Sequence, residues 1–172
     1  ESEELDILPQ NQLVIIGGEY DSVSMARLSN SIGFQTYLVV KESFTHRVPP
    51  SVKVAYYKPE ELRSVIKFDQ QTAVVLMTHS LSKDLNYLIE MLKVECKYLG
   101  ILGPPSRREI ILNNLMDYDE SLLLTYSEKL ENMYGPIGLN IGAKTPEEIS
   151  ISVLSEIISV FNHQTVTLSI DH

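Results

Sequence analysis

The sequence predicts an α/β fold of the Rossmann-like, doubly wound kind with a mostly parallel sheet. Three observations predict it. Short, unbroken apolar runs recur at residues 13–16, 36–40, 73–77 and 98–102. Segments with helical spacing of apolar residues lie between them, which is the β-α alternation of a parallel sheet covered on both faces. Finally, the residues with binding chemistry fall just after the apolar runs, where such a fold places its ligand crevice.

The elements follow in order. Leu13-Val14-Ile15-Ile16 ends in Gly17-Gly18 and reads as a buried strand feeding a turn. Met25, Leu28 and Ile32 recur at helical spacing before Gly33 closes that helix, and residues 36–40 give the second strand. Pro49-Pro50 marks a loop, residues 52–57 a short strand, and Pro59-Glu60-Glu61 opens a helix through Ile66. Residues 73–77 form the next buried strand, 81–93 a helix, 98–102 a strand ending at Gly103, and 107–116 a helix. The last long helix, 146–161, carries Ile149, Val153, Leu154, Ile157, Ile158 and Phe161 on one stripe. Residues 165–170 then alternate polar and apolar, the pattern of an edge strand or of one exchanged with a second copy of the chain. The organisation is therefore a linker-like segment 1–12, a Rossmann-like domain 13–161 and a tail strand 162–172.

Composition excludes several classes. At 172 residues, 44% of them hydrophobic, the chain suits one domain with an ordinary core. A formal net charge of −9 argues against nucleic acid or an anionic membrane surface as partner, because both require clustered Lys and Arg. The single cysteine, Cys96, makes no internal disulfide, which fits a reducing cytoplasmic setting. No apolar run approaches a membrane span, and the start Glu-Ser-Glu-Glu does not resemble a signal peptide.

Candidate binding residues gather on the expected rim: Gly17 and Gly18, Lys41, His79, Gly103, Arg107, and Gly135, Gly138 and Asn140 of the loop 135–148. That loop runs into Thr145-Pro146-Glu147-Glu148, where Thr145 suits a helix N-cap, Pro146 the first helical position and Glu148 a capping box. Its glycines permit main-chain N–H groups to approach a ligand, although a purely structural loop has the same composition. In the first turn, Gly17-Gly18-Glu19, a dinucleotide fingerprint requires glycine in place of Glu19. A carboxylate about 4 Å from a phosphate costs roughly 1–4 kcal/mol in partly wet surroundings, so NAD(P) binding is disfavoured. Lys41 also stands near where the ribose-binding acid belongs. His79, at a strand end, suits ligand contact or a hydrogen bond that fixes the loop. Arg107 and Arg108, at a helix start, suit a phosphate clamp or a solvated surface. No histidine, cysteine or carboxylate spacing predicts a protein-bound metal, and no GxSxG elbow supports serine catalysis.

These blocks, taken together, resemble the C-terminal Rossmann-like domain of the xanthine dehydrogenase accessory family, the XdhC and CoxF type of proteins. Residues 13–21 resemble the family's strand and glycine turn. Met77-Thr78-His79 resembles its Met-Thr-His segment, and Tyr98-Leu99-Gly100-Ile101-Leu102-Gly103-Pro104 its Tyr-x-Gly-x-x-Gly block. Residues 135–148 match most closely, and the resemblance covers roughly residues 8–161. It implies a protein that binds the molybdenum cofactor (molybdopterin), protects it and passes it to a molybdenum hydroxylase apoenzyme, with no catalysis required. Residues 3–9 resemble the linker after the family's N-terminal segment with its Ser-Gly-Gly-Cys type motif, which Cys96 does not match.

Three departures fall on the presumed rim: Glu19 for the second turn glycine, Lys41 for a usual Asp, and Asn140 for the Asp of the Gly-Leu-Asp block. They place an anionic ligand nearer Lys41, Asn140 and Arg107 than the first turn. Three readings stay open on the sequence: a cofactor chaperone domain, a degenerate scaffold binding protein partners only, and an oxidoreductase using NAD(P), which Glu19 and Lys41 oppose.

Overall fold

Five parallel strands form the centre of the computed structural model, which describes residues 10–167. They are β1 (Gln12–Ile16), β2 (Gln35–Val39), β3 (Lys53–Ala55), β4 (Thr72–Leu76) and β5 (Tyr98–Ile101), in the order β3-β2-β1-β4-β5. Every pairing is parallel; Ile16 lies beside Val39 on one side and Leu76 on the other. Strand order reverses between β1 and β4, so the doubly wound expectation holds, with its switch point above those two strands.

Seven helices connect the described strands and follow them: α1 (Tyr20–Ser31), α2 (Leu62–Val65, entered through a 3-10 turn at Pro59–Glu61), α3 (Leu81–Met91), α4 (Pro105–Tyr118), α5 (Glu120–Thr125), α6 (Ser127–Glu131) and α7 (Pro146–Phe161). Alternate strand residues point to opposite faces. Leu13, Ile15, Leu38, Ala73 and Val75 meet α1 and α7, whereas Val14, Ile16, Val39, Val74 and Leu76 meet α2, α3, α4 and α6. Both faces are covered, which is why the strands read as unbroken apolar runs rather than alternating ones.

Two helical stripes differ from expectation. Ile32 and Ile158 are 44% and 39% exposed, while Ser22, Ser24 and Ser29 of α1 and Ser150 and Ser152 of α7 are buried. The two helices approach through these small side chains, with the Ser150 and Ser24 hydroxyls 3.4 Å apart. Helix α7 therefore turns its Ser150, Val153, Leu154 and Ile157 row inward, and Ile158 falls at the edge. Helices α5 and α6 fill a stretch for which the pattern predicts no element. Helix α4 begins at Pro105 rather than 107.

Of the expected tail strand, residues 165–167 form no strand, and 168–170 lie outside the described residues, as do residues 1–9 of the expected linker. No described helix is long and apolar enough to cross a membrane.

Helix α7 starts as the sequence predicts. The Thr145 hydroxyl accepts from the Glu148 amide at 3.1 Å, and the Glu148 carboxylate accepts from the Thr145 and Lys144 amides, each at 3.0 Å. Those amides hold the Glu148 carboxyl below its usual range. A carboxyl lowered in the folded state stabilises above its unfolded pKa and loses that contribution as pH falls through the folded one. Replacing Thr145 with alanine is expected to cost about 1 kcal/mol at neutral pH. Chemical denaturation of the variant checks this, and an unchanged midpoint would show that the cap contributes nothing.

Candidate functional site

The crevice forms where the C-terminal ends of β2, β1 and β4 meet the turn into α1. That turn is tight: the Gly17 amide donates to the Val39 carbonyl at 2.9 Å, and a Cβ on Gly17 would stand 2.5 Å from the Met77 carbonyl oxygen. Gly17 is thus required by the close approach of two main chains. Gly18 is not so confined, since the nearest atoms to a Cβ there are 3.6 Å away.

Three side-chain contacts tie this turn to its neighbours. Lys41 Nζ donates to Glu19 Oε1 at 2.8 Å, with both side chains about half exposed, and this hydrogen bond holds the Glu19 carboxyl below its usual range. His79 Nε2 lies 2.6 Å from Asp21 Oδ2, with His79 at φ 63°, a left-handed conformation uncommon outside glycine. The Tyr20 hydroxyl donates to Glu147 Oε1 at 2.7 Å, joining the first turn to the start of α7. Glu19 stands at the N-cap position of α1, without a side-chain capping hydrogen bond, and Asp21 sits in its first turn, so two of the chain's own carboxylates already flank that helix N-terminus.

Beside the turn lies a cavity of about 540 Å³. Gly17, Gly18, Glu19 and Lys41 form one side, together with Thr78. Tyr56, Lys58, Lys83, Asn86 and Tyr87 form another, contributed by the segment after β3 and by the first turns of α3, with Glu42 and Ser43 at the end of β2. Lys58 and Lys83 make no ion pair among the described residues. The Tyr87 hydroxyl donates to the Tyr57 carbonyl at 2.5 Å, and burial pushes its pKa up to about 12, which keeps it a neutral donor.

Of the residues expected on one rim, Gly17, Gly18 and Lys41 line this cavity; His79, which follows the lining residue Thr78 and meets Asp21, does not. Gly103, Arg107, Gly135, Gly138 and Asn140 do not line it. Arg107 Nη2 donates to Asp84 Oδ2 at 2.9 Å, and Asp84 is completely buried. The other Asp84 oxygen accepts from the Thr78 amide at 3.1 Å and the Thr78 hydroxyl at 2.6 Å. The Arg107 guanidinium is committed to that buried carboxylate, and its stem packs over Gly103. Through Asp84 it fixes Thr78 in the cavity wall. Arg108 donates to the Leu130 and Met133 carbonyls at 2.7 and 3.2 Å, tying down the segment after α6.

The loop 135–148 runs along the free edge of β5 and then folds onto α7. The Tyr134 amide donates to the Leu99 carbonyl and the Ile101 amide to the Tyr134 carbonyl, at 2.9 and 2.8 Å. Gly138 has φ 97°, with Ser152 against the position a Cβ would take, and its amide donates to Glu156 Oε1 at 3.0 Å. The same carboxylate oxygen accepts the Tyr98 hydroxyl at 2.6 Å. The Leu139, Ile141, Lys144 and Thr145 amides also donate within the loop and α7, so most of the loop's N–H groups are spent internally. Asn140 is exposed on this side. Lys41, Asn140 and Arg107 therefore do not converge on one anion: Lys41 faces Glu19, and Arg107 faces Asp84.

Cys96 lies at the opposite end of the sheet, before β5. Burial raises its thiol pKa, partly offset by Lys129. Among the described residues no group of three or more His, Cys, Asp or Glu side chains is placed to hold a metal.

Comparison with known proteins gives a consistent picture. The family model described as the XdhC Rossmann domain matches residues 13–157. The chain is 27% identical over 155 residues to a probable xanthine dehydrogenase subunit of Bacillus subtilis, covering 88% of this chain and 43% of that protein. It is 24% identical over 161 residues to the "Molybdenum cofactor insertion chaperone PaoD" of Escherichia coli, covering 94% and 43%. A crystal structure described as a xanthine dehydrogenase from Bacillus halodurans superposes with a TM-score of 0.70 at 25% identity, covering 94% of this chain and 46% of that one. The chain thus spans less than half the length of these relatives.

Proposed function

The chain belongs to the XdhC Rossmann domain family, and from that membership we propose that it serves in the maturation of a molybdenum hydroxylase, carrying the molybdenum cofactor as cargo and delivering it to the apoenzyme. The observation that carries the reading is the cavity beside the first turn. Its volume of about 540 Å³ falls within the range of small-molecule sites, roughly 300–1,000 Å³. Its lining suits a pterin bearing a phosphate. Lys58 and Lys83 offer ammonium groups to a phosphate, Tyr56, a residue 44% exposed, offers its ring for stacking, and Asn86 and Glu42 supply an amide and a carboxylate for the donor and acceptor edge of a heterocycle. On this reading the role is binding and transfer of the cargo.

The test has two parts. Cofactor released anaerobically from a molybdenum hydroxylase, at about 100 times its dissociation constant, is expected to stabilise the chain by about 2.7 kcal/mol, a rise of roughly 5–10 °C in melting temperature. The loaded protein is then expected to restore activity to cofactor-free hydroxylase. Absence of both effects would sink the reading.

One observation favours a second reading, a scaffold that binds only the apoenzyme. Glu19 and Asp21 occupy the α1 N-terminus, where a Rossmann domain ordinarily receives phosphate. That reading predicts apoenzyme binding with no ligand-induced shift. A shift with NAD(P) would instead favour the oxidoreductase.

A further inference from the structure

We infer that the cavity selects a heterocycle carrying a single terminal phosphate and rejects a pyrophosphate-linked dinucleotide. This rests on the cargo reading above and specifies what the site accepts. The argument begins at α1. A dinucleotide in a doubly wound fold lays its pyrophosphate on the N-terminus of the first helix and extends a half to each side of the switch point. Here that N-terminus is flanked by Glu19, at the N-cap position, and Asp21, in its first turn. Each carboxylate is also anchored. Lys41 holds Glu19 at 2.8 Å on the β2 side, and His79 meets Asp21 at 2.6 Å on the β4 side. Lys41 is therefore neutralised by Glu19 rather than available to a phosphate at the turn.

The same contacts limit the space. The cavity is lined from the ends of β1 and β2, the segment after β3, Thr78 and α3. On the far side of the switch point, Gly103 is packed by Arg107, whose guanidinium is bound to buried Asp84. None of the residues after β5 lines the cavity. The cavity supplies lining for one half of a dinucleotide, and nothing after β5 extends it to the other.

The cations without an ion pair lie elsewhere. Lys58 follows β3 and Lys83 is in the first turn of α3. The elements they belong to pack on the face of the sheet opposite α1. A phosphate held by this pair is displaced from the helix that a dinucleotide uses, with the ring lying toward Tyr56 and Asn86.

The experiment uses guanosine 5′-monophosphate, whose 2-amino-6-oxo edge presents the same donor and acceptor pattern as a pterin, against NAD+ and inorganic phosphate, read by isothermal titration. The monophosphate is expected to bind at least about tenfold more tightly than NAD+. Lys58→Ala and Lys83→Ala, both at exposed positions, are each expected to weaken it about tenfold or more through loss of a charge-assisted contact, with melting temperatures unchanged. Glu19→Gly is expected to move the ratio about tenfold or more toward NAD+. NAD+ binding as tightly as the monophosphate, lysine variants without effect, or no binding of the monophosphate would overturn the inference. The cargo reading fails separately: released cofactor that does not reach the apoenzyme sinks it even when the monophosphate preference holds. Transfer that proceeds in both lysine variants as in the unaltered chain sinks the selectivity alone.

Discussion

Replacing Arg107 with alanine is expected to destabilise the domain by about 3–5 kcal/mol, because it strands a fully buried carboxylate. Asp84 has no exposed surface. One of its oxygens is served by the Thr78 amide and hydroxyl, and the other by Arg107 Nη2 at 2.9 Å. Without the guanidinium, the second oxygen of this buried carboxylate has nothing to balance its charge. For a chain of this size the loss corresponds to a fall of roughly 6–20 °C in melting temperature. The Arg107 Nε has no hydrogen-bond partner among the described residues, so the pair is not fully satisfied, and that moderates what it contributes in the unaltered protein. The double variant Asp84→Ala/Arg107→Ala separates the pair from its parts. It is expected to be more stable than the sum of the single losses predicts, by about 0.5–3 kcal/mol. Strict additivity, or a single-variant loss under about 1 kcal/mol, would mean that water replaces the guanidinium and the pair is incidental. Because Asp84 also fixes Thr78 in the cavity wall, the single variant should weaken any ligand there as well.

Arg107 also shows why the site is less legible than the fold. The central strands are buried on both faces, so their apolar runs stand out, and Gly17 and Gly103 mark the ends of the first and last runs. Helix α7 announces itself through a capping box that three residues suffice to define. The short helices α5 and α6 have no such mark; α5 rests on neighbouring α4, and α6 contributes Leu130 to the core. The site is harder because its contacts join residues far apart in sequence. Glu19 and Lys41 read separately as two charge changes on the rim, yet strand order puts β2 beside β1 and makes them one pair. Asp84, within Lys83-Asp84-Leu85, looks like an ordinary solvated helix position, and only the packing of α3 against α4 reveals it as the buried partner of Arg107. Lys58, Lys83, Tyr56 and Asn86 belong to no motif. The elements that carry them meet only once the sheet forms. The loop 135–148 is recognisable as a unit, but a glycine with a left-handed φ serves close packing on α7 as readily as it serves a ligand, and composition does not separate the two.

The first turn offers the sharpest separation of fold from binding, because its two glycines do different work. Gly17→Ala would push a methyl group to 2.5 Å from the Met77 carbonyl oxygen and 3.0 Å from its carbon. Neither is a flexible side-chain end that can swing aside. The Gly17 amide is meanwhile held by the Val39 carbonyl and the Met77 amide by the Ile16 carbonyl, at 2.9 and 2.8 Å, so relief requires moving the end of β1 or β4 within a fully buried sheet. A loss of about 1–3 kcal/mol, or somewhat more, is the expected result of such overpacking. Gly18→Ala meets Phe44 and Val40 side chains at 3.6 Å, which is ordinary contact, and is expected to change stability by no more than about 0.5 kcal/mol. Its methyl group nevertheless enters a residue that lines the cavity. If a ligand sits against the turn, Gly18→Ala should lower its affinity while the melting temperature of the free chain stays put; if the ligand sits toward Lys58 and Lys83, affinity should hardly change. Denaturation and titration of the two variants side by side decide the matter. Equal stability losses at both positions would show that the turn as a whole, not the contact between Gly17 and Met77, is what excludes a side chain.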